Sequence, residues 1–346
     1  MLVRYRVIAT ITLSLVAAAC PAHHAPPKAA PSSSSPTSTL PNGAPATYLA
    51  IDYNTQPGGR VLQLRSSSDG HLIRDLYRSA GSDLLAAARA PDGTIFIFTF
   101  QGTTTTMSKV DEATGKLETV RTFSEEVYSP SFDPGGGKLV FVTYPPSYHT
   151  APGLGGALPY ELVVLDLKTG ARASTVSDNP GHPFFGVVWN PDGTQLATNY
   201  AGGPNGSTIV MLLDATHPSF RAARRVVAPR GCSLSASSWI ASGLIGAESC
   251  SQSPLQLPKA LVEYTTSGRI THGWALPQCA FTATAIKDTL MGSVLVFVRS
   301  GYGGDTWCQR HNGHYVYELS SLKLRLISRH IEKIERRLQD GEPVAW

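Results

Sequence analysis

A tight turn that keeps returning along the chain constrains the fold more than any other feature. Ala90-Pro91-Asp92-Gly93-Thr94-Ile95-Phe96-Ile97 comes back as Asp133-Pro134-Gly135-Gly136-Gly137-Lys138-Leu139-Val140-Phe141. It returns again as Trp189-Asn190-Pro191-Asp192-Gly193-Thr194-Gln195-Leu196-Ala197. Short apolar runs flank each copy, Pro presets φ and Gly accepts φ > 0, which is the chemistry of a hairpin turn. Weaker copies follow around Trp239 and Ile286. The residues in the place of Trp189 are Arg89, Phe132, Trp239 and Ile286, at successive separations of 43, 57, 50 and 47 positions. Self-similarity of this period marks a repeat architecture in which each unit buries its apolar faces against its neighbours.

A second series runs out of phase with the first. Val61–Leu64, Met107–Val110, Leu162–Leu165, Val210–Leu213, Leu261–Tyr264 and Tyr315–Glu318 are each followed by a short polar turn. These six read as outer hairpins, against five inner turns. The missing inner strand is supplied by Glu342-Pro343-Val344-Ala345-Trp346, which looks like the front of the Trp189 motif. The first strand, Tyr48–Tyr53, corresponds to the second strand of the other units, so the two ends complete one sheet and leave no open edge. Composition agrees, with only 16% charged residues, 32 Gly and 25 Pro in 346 residues. The fold expected is all-β, a six-bladed β-propeller over residues 47–346, closed by pairing of its N- and C-terminal strands in one blade. The turns and their flanking strands resemble those of TolB-like and WD-like six-bladed propellers, and of exported actinobacterial lipoproteins of that type. The resemblance implies fold and says almost nothing about activity.

Residues 1–20 read as a signal peptide. Arg4 and Arg6 precede an apolar run from Val7 to Ala19, a signal-peptide length and too short to span a membrane comfortably. Val16-Ala17-Ala18-Ala19-Cys20 resembles the lipobox of bacterial lipoproteins, which implies a diacylated Cys20 and membrane attachment through that lipid. Simple A-x-A cleavage, or an uncleaved anchor, is the alternative. Residues 21–46 are rich in Pro, Ser and Ala and lack the apolar content to offset ordering entropy, so a disordered tether is expected. The expected address is the outer face of the cell membrane, or the exterior if the lipobox is unused. The formal charge of +4 implies no nucleic-acid partner. Basic runs at Arg221–Arg230 and Arg329–Arg337 read as solvated surface.

Four further cysteines in an exported chain suggest disulfides, with three possible connectivities. The repeat chooses Cys232–Cys250, which face each other across an inner hairpin, and Cys279–Cys308 in the next unit. Zinc is disfavoured because no C-x-x-C pair occurs.

Propeller topology puts the loops between second and third strands, and those between blades, on one face. There the sequence gathers Tyr148, His149, Tyr160, His182, Phe184, Tyr200, Tyr302, Asp305, Trp307 and His311. Aromatics interleaved with His and Asp suit stacking on sugars or gripping an extended peptide. The strands expected to line the channel are small and apolar, with Asp83, Glu125, Glu126 and Glu342 only at their edges. No G-x-S-x-G elbow, P-loop or dinucleotide fingerprint occurs. The expectation is therefore a monomeric, cofactor-free binding module without catalytic or metal-ligating residues, taking an envelope protein or cell-wall polymer through its loop face. The rival is a propeller hydrolase or lyase acting on a glycan, lactone or peptide, with His182, His311 and Asp305 in its site.

Overall fold

Middle strands such as Lys138–Thr143 carry an unbroken apolar run because both of their faces are buried. Successive side chains of a strand point to opposite faces. Leu139 and Phe141 accordingly pack with Phe98, Met107 and Phe132. Val140 and Val142 pack on the other side with Trp189, Leu196 and Met211. Each sheet therefore contributes to two cores, and neighbouring sheets are held face to face.

The computed structural model describes residues 47–55, 59–66, 71–79, 83–144, 160–178, 182–203, 207–228, 232–250, 260–275, 293–298, 313–318, 323–329 and 342–345. They all belong to one compact unit spanning Ser38–Trp346. The first sheet holds β1 (Thr47–Thr55), β2 (Gly59–Ser66) and β3 (Leu72–Arg78), and the second β4 (Leu84–Arg89), β5 (Ile95–Gln101), β6 (Thr104–Val110) and β7 (Leu117–Phe123). The third holds β8 (Tyr128–Phe132), β9 (Lys138–Thr143), β10 (Glu161–Asp166) and β11 (Arg172–Val176). The fourth holds β12 (Phe184–Trp189), β13 (Gln195–Tyr200), β14 (Ile209–Asp214) and β15 (Arg224–Val226). In the fifth, β16 (Cys232–Leu234) and β17 (Ser238–Ile240) both pair β18 (Gly243–Cys250), which continues to β19 (Ala260–Tyr264) and β20 (Ile270–Ala275). The sixth has β21 (Ser293–Val298), β22 (Gly313–Glu318) and β23 (Lys323–Arg329). Finally β24 (Glu342–Ala345) pairs antiparallel with β1, completing the first sheet from the other end of the chain.

Inner strands β24, β4, β8, β12 and β17 lie against one another in that order, which makes the assembly a β-propeller. Five of its sheets carry a full blade. The sixth has three strands among the described residues, because the inner strand expected near Ile286 falls outside them. Six complete blades are thus not met among the described residues; five are.

The recurring turns close as their sequence requires. Asn190 O accepts from Gly193 N at 3.0 Å, Asn190 Oδ1 accepts from Gln195 N at 2.8 Å, and Gly193 sits at φ 74. A second device organises the polar turns of the outer hairpins, through aspartates that precede Thr114-Gly115 and Thr169-Gly170. Asp111 Oδ1 accepts from the Thr114 amide and hydroxyl at 2.7 and 2.9 Å, and Asp166 Oδ1 does the same with Thr169 at 2.7 and 2.8 Å. These hydrogen bonds hold both carboxyls below the usual carboxylate range. The turns also receive the preceding blade. Arg74 of β3 donates to Glu112 O at 2.8 Å, and Arg121 of β7 donates to Leu167 O at 3.1 Å.

Inner strands are bulged near one level. Register shifts fall between Leu84 and Ala86, Tyr128 and Ser131, and Phe185 and Val187. Ser129 and Gly186 occupy the same place relative to Phe132 and Trp189, and both have positive φ, 48 and 61. In the fifth blade the distortion is complete, separating β16 from β17. Gly246 permits it: a Cβ there would stand 1.6 Å from Ser235 O. The displaced Ala236 meets Asn199 of the neighbouring blade, whose Oδ1 accepts from Ala236 N at 2.7 Å while its Nδ2 donates to Ala236 O at 2.9 Å. Beside this seam, Cys232 and Cys250 are directly opposed and disulfide-bonded, as the repeat predicted. Cys279 and Cys308 lie outside the described residues.

Asn199 and Ala236 are both buried, so Asn199→Ala leaves an amide N–H and a carbonyl without partners. The expected loss is about 2–4 kcal/mol, read from the midpoint shift of urea unfolding, with an unchanged strand signature by circular dichroism.

Candidate functional site

Register brings three tyrosines to one end of the third blade. Tyr128 opens β8 opposite Val142, while Tyr144 and Tyr160 flank the paired residues Thr143 and Glu161. Their rings follow one another, Tyr128 edge-on to Tyr144 at 6.0 Å and Tyr144 tilted against Tyr160 at 4.8 Å. Tyr128 donates its hydroxyl to Glu126 Oε2, and Tyr144 donates to the Tyr160 hydroxyl at 3.1 Å. All three rings are half-buried, and Glu126 is partly exposed.

The next blade continues the aromatic surface. Phe184 is paired with Tyr200 across the β12–β13 ladder, and His182 stands edge-on to Tyr200 at 5.9 Å. Phe220, carried by the β14–β15 connection, packs against Tyr200 at 5.0 Å and donates its amide to Thr175 Oγ1 at 2.8 Å. Tyr200 donates its hydroxyl to Asp178 Oδ1 at 2.8 Å. Tyr128 and Tyr160 pack against the same core that contains Phe184, Tyr200 and Phe220. Beside them, Thr175, Val176, Ser177, Asp178, Ser219, Phe220 and Arg221 line an open hollow of about 360 Å³.

Of the ten binding-face residues expected from sequence, the structure brings Tyr160, His182, Phe184 and Tyr200 together. Tyr148, His149, Tyr302, Asp305, Trp307 and His311 lie outside the described residues, as does Cys20. Two members the pattern did not place there, Tyr128 and Glu126, join the face. Tyr128 opens the inner strand β8. The usable signal was Pro130, since a proline inside a strand marks a bulge or an edge.

Burial and the Glu126 carboxylate push the Tyr128 phenol well up, and burial and the bond to Tyr160 do the same for Tyr144. Tyr200 is pushed from 10.0 to about 12 by burial and by Asp178. These are neutral hydroxyls over any physiological range. They stack and donate hydrogen bonds, and they are not poised as phenolate nucleophiles or bases.

Two of the acids at the channel edge, Glu125 and Asp83, have partners inside the fold. Glu125 is only 2% exposed and takes both guanidinium nitrogens of Arg172, at 2.6 and 2.9 Å. Asp83 Oδ2 accepts from the Tyr77 hydroxyl at 3.1 Å, and burial together with Asp83 lifts that phenol to about 12. Arg89 and Trp189 take equivalent places and each reaches back one blade, Arg89 to Thr47 Oγ1 at 3.3 Å and Trp189 to Ser131 O at 3.0 Å. Among the described residues, one His, Cys, Asp or Glu group is close enough to hold a metal ion, Cys232, Glu248 and Cys250, and its two sulfurs are joined in the disulfide.

No protein-family model matches the chain, and no curated protein matches it in sequence. Solved structures do match in fold. TolB from Acinetobacter baumannii is 16% identical at a TM-score of 0.54, covering 80% of this chain and 62% of its own. This chain therefore spans less than two thirds of that TolB structure. An oligogalacturonate lyase from Vibrio parahaemolyticus is 13% identical at a TM-score of 0.52, covering 83% and 80%. An oligogalacturonate lyase solved in complex with manganese is 15% identical at a TM-score of 0.51, covering 83% and 85%. At these identities the likeness is one of fold.

A phenol whose folded pKa is raised stabilises the fold below its unfolded value and stops doing so as pH rises through the folded value. For Tyr77 and Tyr200 that window runs from 10.0 to about 12. Thermal melts across it should show Tm falling in the wild type. The Tyr77→Phe/Tyr200→Phe variant starts lower and falls less over the same range.

Proposed function

We propose that this chain is a non-catalytic propeller of the cell envelope that binds a protein or a cell-wall polymer through its loop face. One observation carries the reading. Glu125 and Asp83, at the channel edge, serve as internal partners of Arg172 and Tyr77, while neutral aromatics accumulate at the loop end of the third and fourth blades. Propeller hydrolysis or elimination needs inward acids, bases or metal ligands held for the substrate. Aromatic surface with few open charges is the chemistry of recognition.

The same reading takes the ring as six-bladed, with an inner strand near Ile286 completing the β21–β23 sheet and a Cys279–Cys308 bridge beside it. Residues 1–20 are the export signal, Cys20 carries the lipid, and residues 21–46 hold the domain off the membrane. The paired chain ends support closure of the ring, and the Cys232–Cys250 bridge supports an oxidising compartment. A Cys20→Ala variant should move from the detergent phase to the aqueous phase on Triton X-114 partition. Unchanged partition would sink the anchor.

The lyase neighbours favour a second reading, glycan cleavage by a metal-dependent propeller. Metal analysis of purified protein separates the two readings, because stoichiometric manganese or calcium would favour the lyase. Capture of partners from envelope extract provides the positive test. The wild type should enrich a partner that a Tyr148→Ala/Tyr302→Ala/Trp307→Ala variant loses, and equal recovery by both would remove the loop face from the proposal.

A further inference from the structure

Two adjacent glutamates in the β7–β8 connection have opposite fates. Glu125 turns inward and is neutralised by Arg172. Glu126 receives the Tyr128 hydroxyl on Oε2, and none of the salt bridges among the described residues involves it. Tyr128 and Tyr144 stand beside it as two rings at right angles, 6.0 Å apart, with Tyr160 behind. We propose that Glu126, Tyr128, Tyr144 and Tyr160 form a recognition site for a cationic side chain, lysine or arginine, of a protein partner. This rests on the loop-face binding reading and names the chemistry that reading left open.

The hydroxyls leave little for a sugar to use: Tyr128 spends its proton on Glu126 and Tyr144 spends its proton on Tyr160, so of the three phenols only Tyr160 keeps a proton to donate. The ring faces, negative at their centres, stand beside a carboxylate. That combination attracts an ammonium or guanidinium and repels phosphate or carboxylate. Geometry is fixed before a ligand arrives, because Tyr160 is pinned by backbone pairing with Ser177 at 3.0 Å and Tyr128 by the β8 ladder. A cation docking there orders little that is not already ordered.

The test uses the full chain and a fluorescein-labelled Gly-Lys-Gly-Lys-Gly peptide, with binding followed by anisotropy. The control is the same peptide with both lysines Nε-acetylated. The wild type should bind the lysine peptide roughly tenfold more tightly than the acetylated one, and more weakly as salt is raised. Glu126→Gln keeps the shape of the side chain and should remove most of that preference, as should Tyr144→Leu. If Tyr144→Leu fails to fold, Glu126→Gln decides alone. Equal binding of the two peptides, no binding of either, or a lysine preference that survives Glu126→Gln would overturn the site. The outcomes separate from the broader reading. Partner capture from envelope extract that persists in Glu126→Gln removes this site and leaves loop-face binding standing, whereas capture unaffected by the loop-face alanine variant removes the face itself.

Discussion

Burial on both faces of the middle strands is the constraint from which the rest of this structure follows. In an ordinary sandwich a strand gives every second residue to the core, but β9 gives Leu139 and Phe141 to one core and Val140 and Val142 to another. Each such side chain contributes about 1.5–3 kcal/mol when removed from water, and no blade can collect that alone. The strands are consequently closed to functional side chains. The open carboxylate of the candidate face, Glu126, lies in a connection and not in a strand.

The polar groups that do enter the interior are paired across seams between blades. Asn199 clamps Ala236, Arg121 reaches Leu167 O and Trp189 reaches Ser131 O, each linking one blade to the next. An unpaired buried polar atom is costly, so these bonds fix how neighbouring blades sit where apolar contact alone would let them slide. The bulges belong to the same arrangement. A regular inner strand in the fifth blade would keep Ala236 in the ladder with β18, away from Asn199, and Gly246 is the residue that lets the strand depart.

Local grammar made the fold legible. The Pro-Asp-Gly turns, the outer hairpins and the facing cysteines 232 and 250 all act over a few residues to a couple of strands. The aspartates of the 111 and 166 turns were equally local and were overlooked only because the threonine and glycine are the louder signal. The interactions that decide the site are of another kind. Glu125 meets Arg172 across 47 positions and Asn199 meets Ala236 across 37, and no periodicity encodes such a meeting. The candidate face was readable in outline, because loop topology alone assigns Tyr160, His182 and Tyr200 to one end. The membership of Tyr128 and Glu126 was not, since it depends on a bulge at Ser129 that re-aims the start of β8.

The connection that precedes that bulge buries one acid and leaves its neighbour partly exposed. Glu125 and Glu126 adjoin in sequence, so any smooth connection from β7 to β8 sends one inward and the other out. The inward one sits where Thr105 Oγ1 already holds its carbonyl at 2.6 Å, and an unpaired charge there would be costly. Arg172 removes that cost. Glu126 is left beside three neutral rings, in none of the salt bridges among the described residues. A recognition site for a positive group is thus a by-product of satisfying the buried acid, and substituting Arg172 would disturb the fold before it disturbed the site.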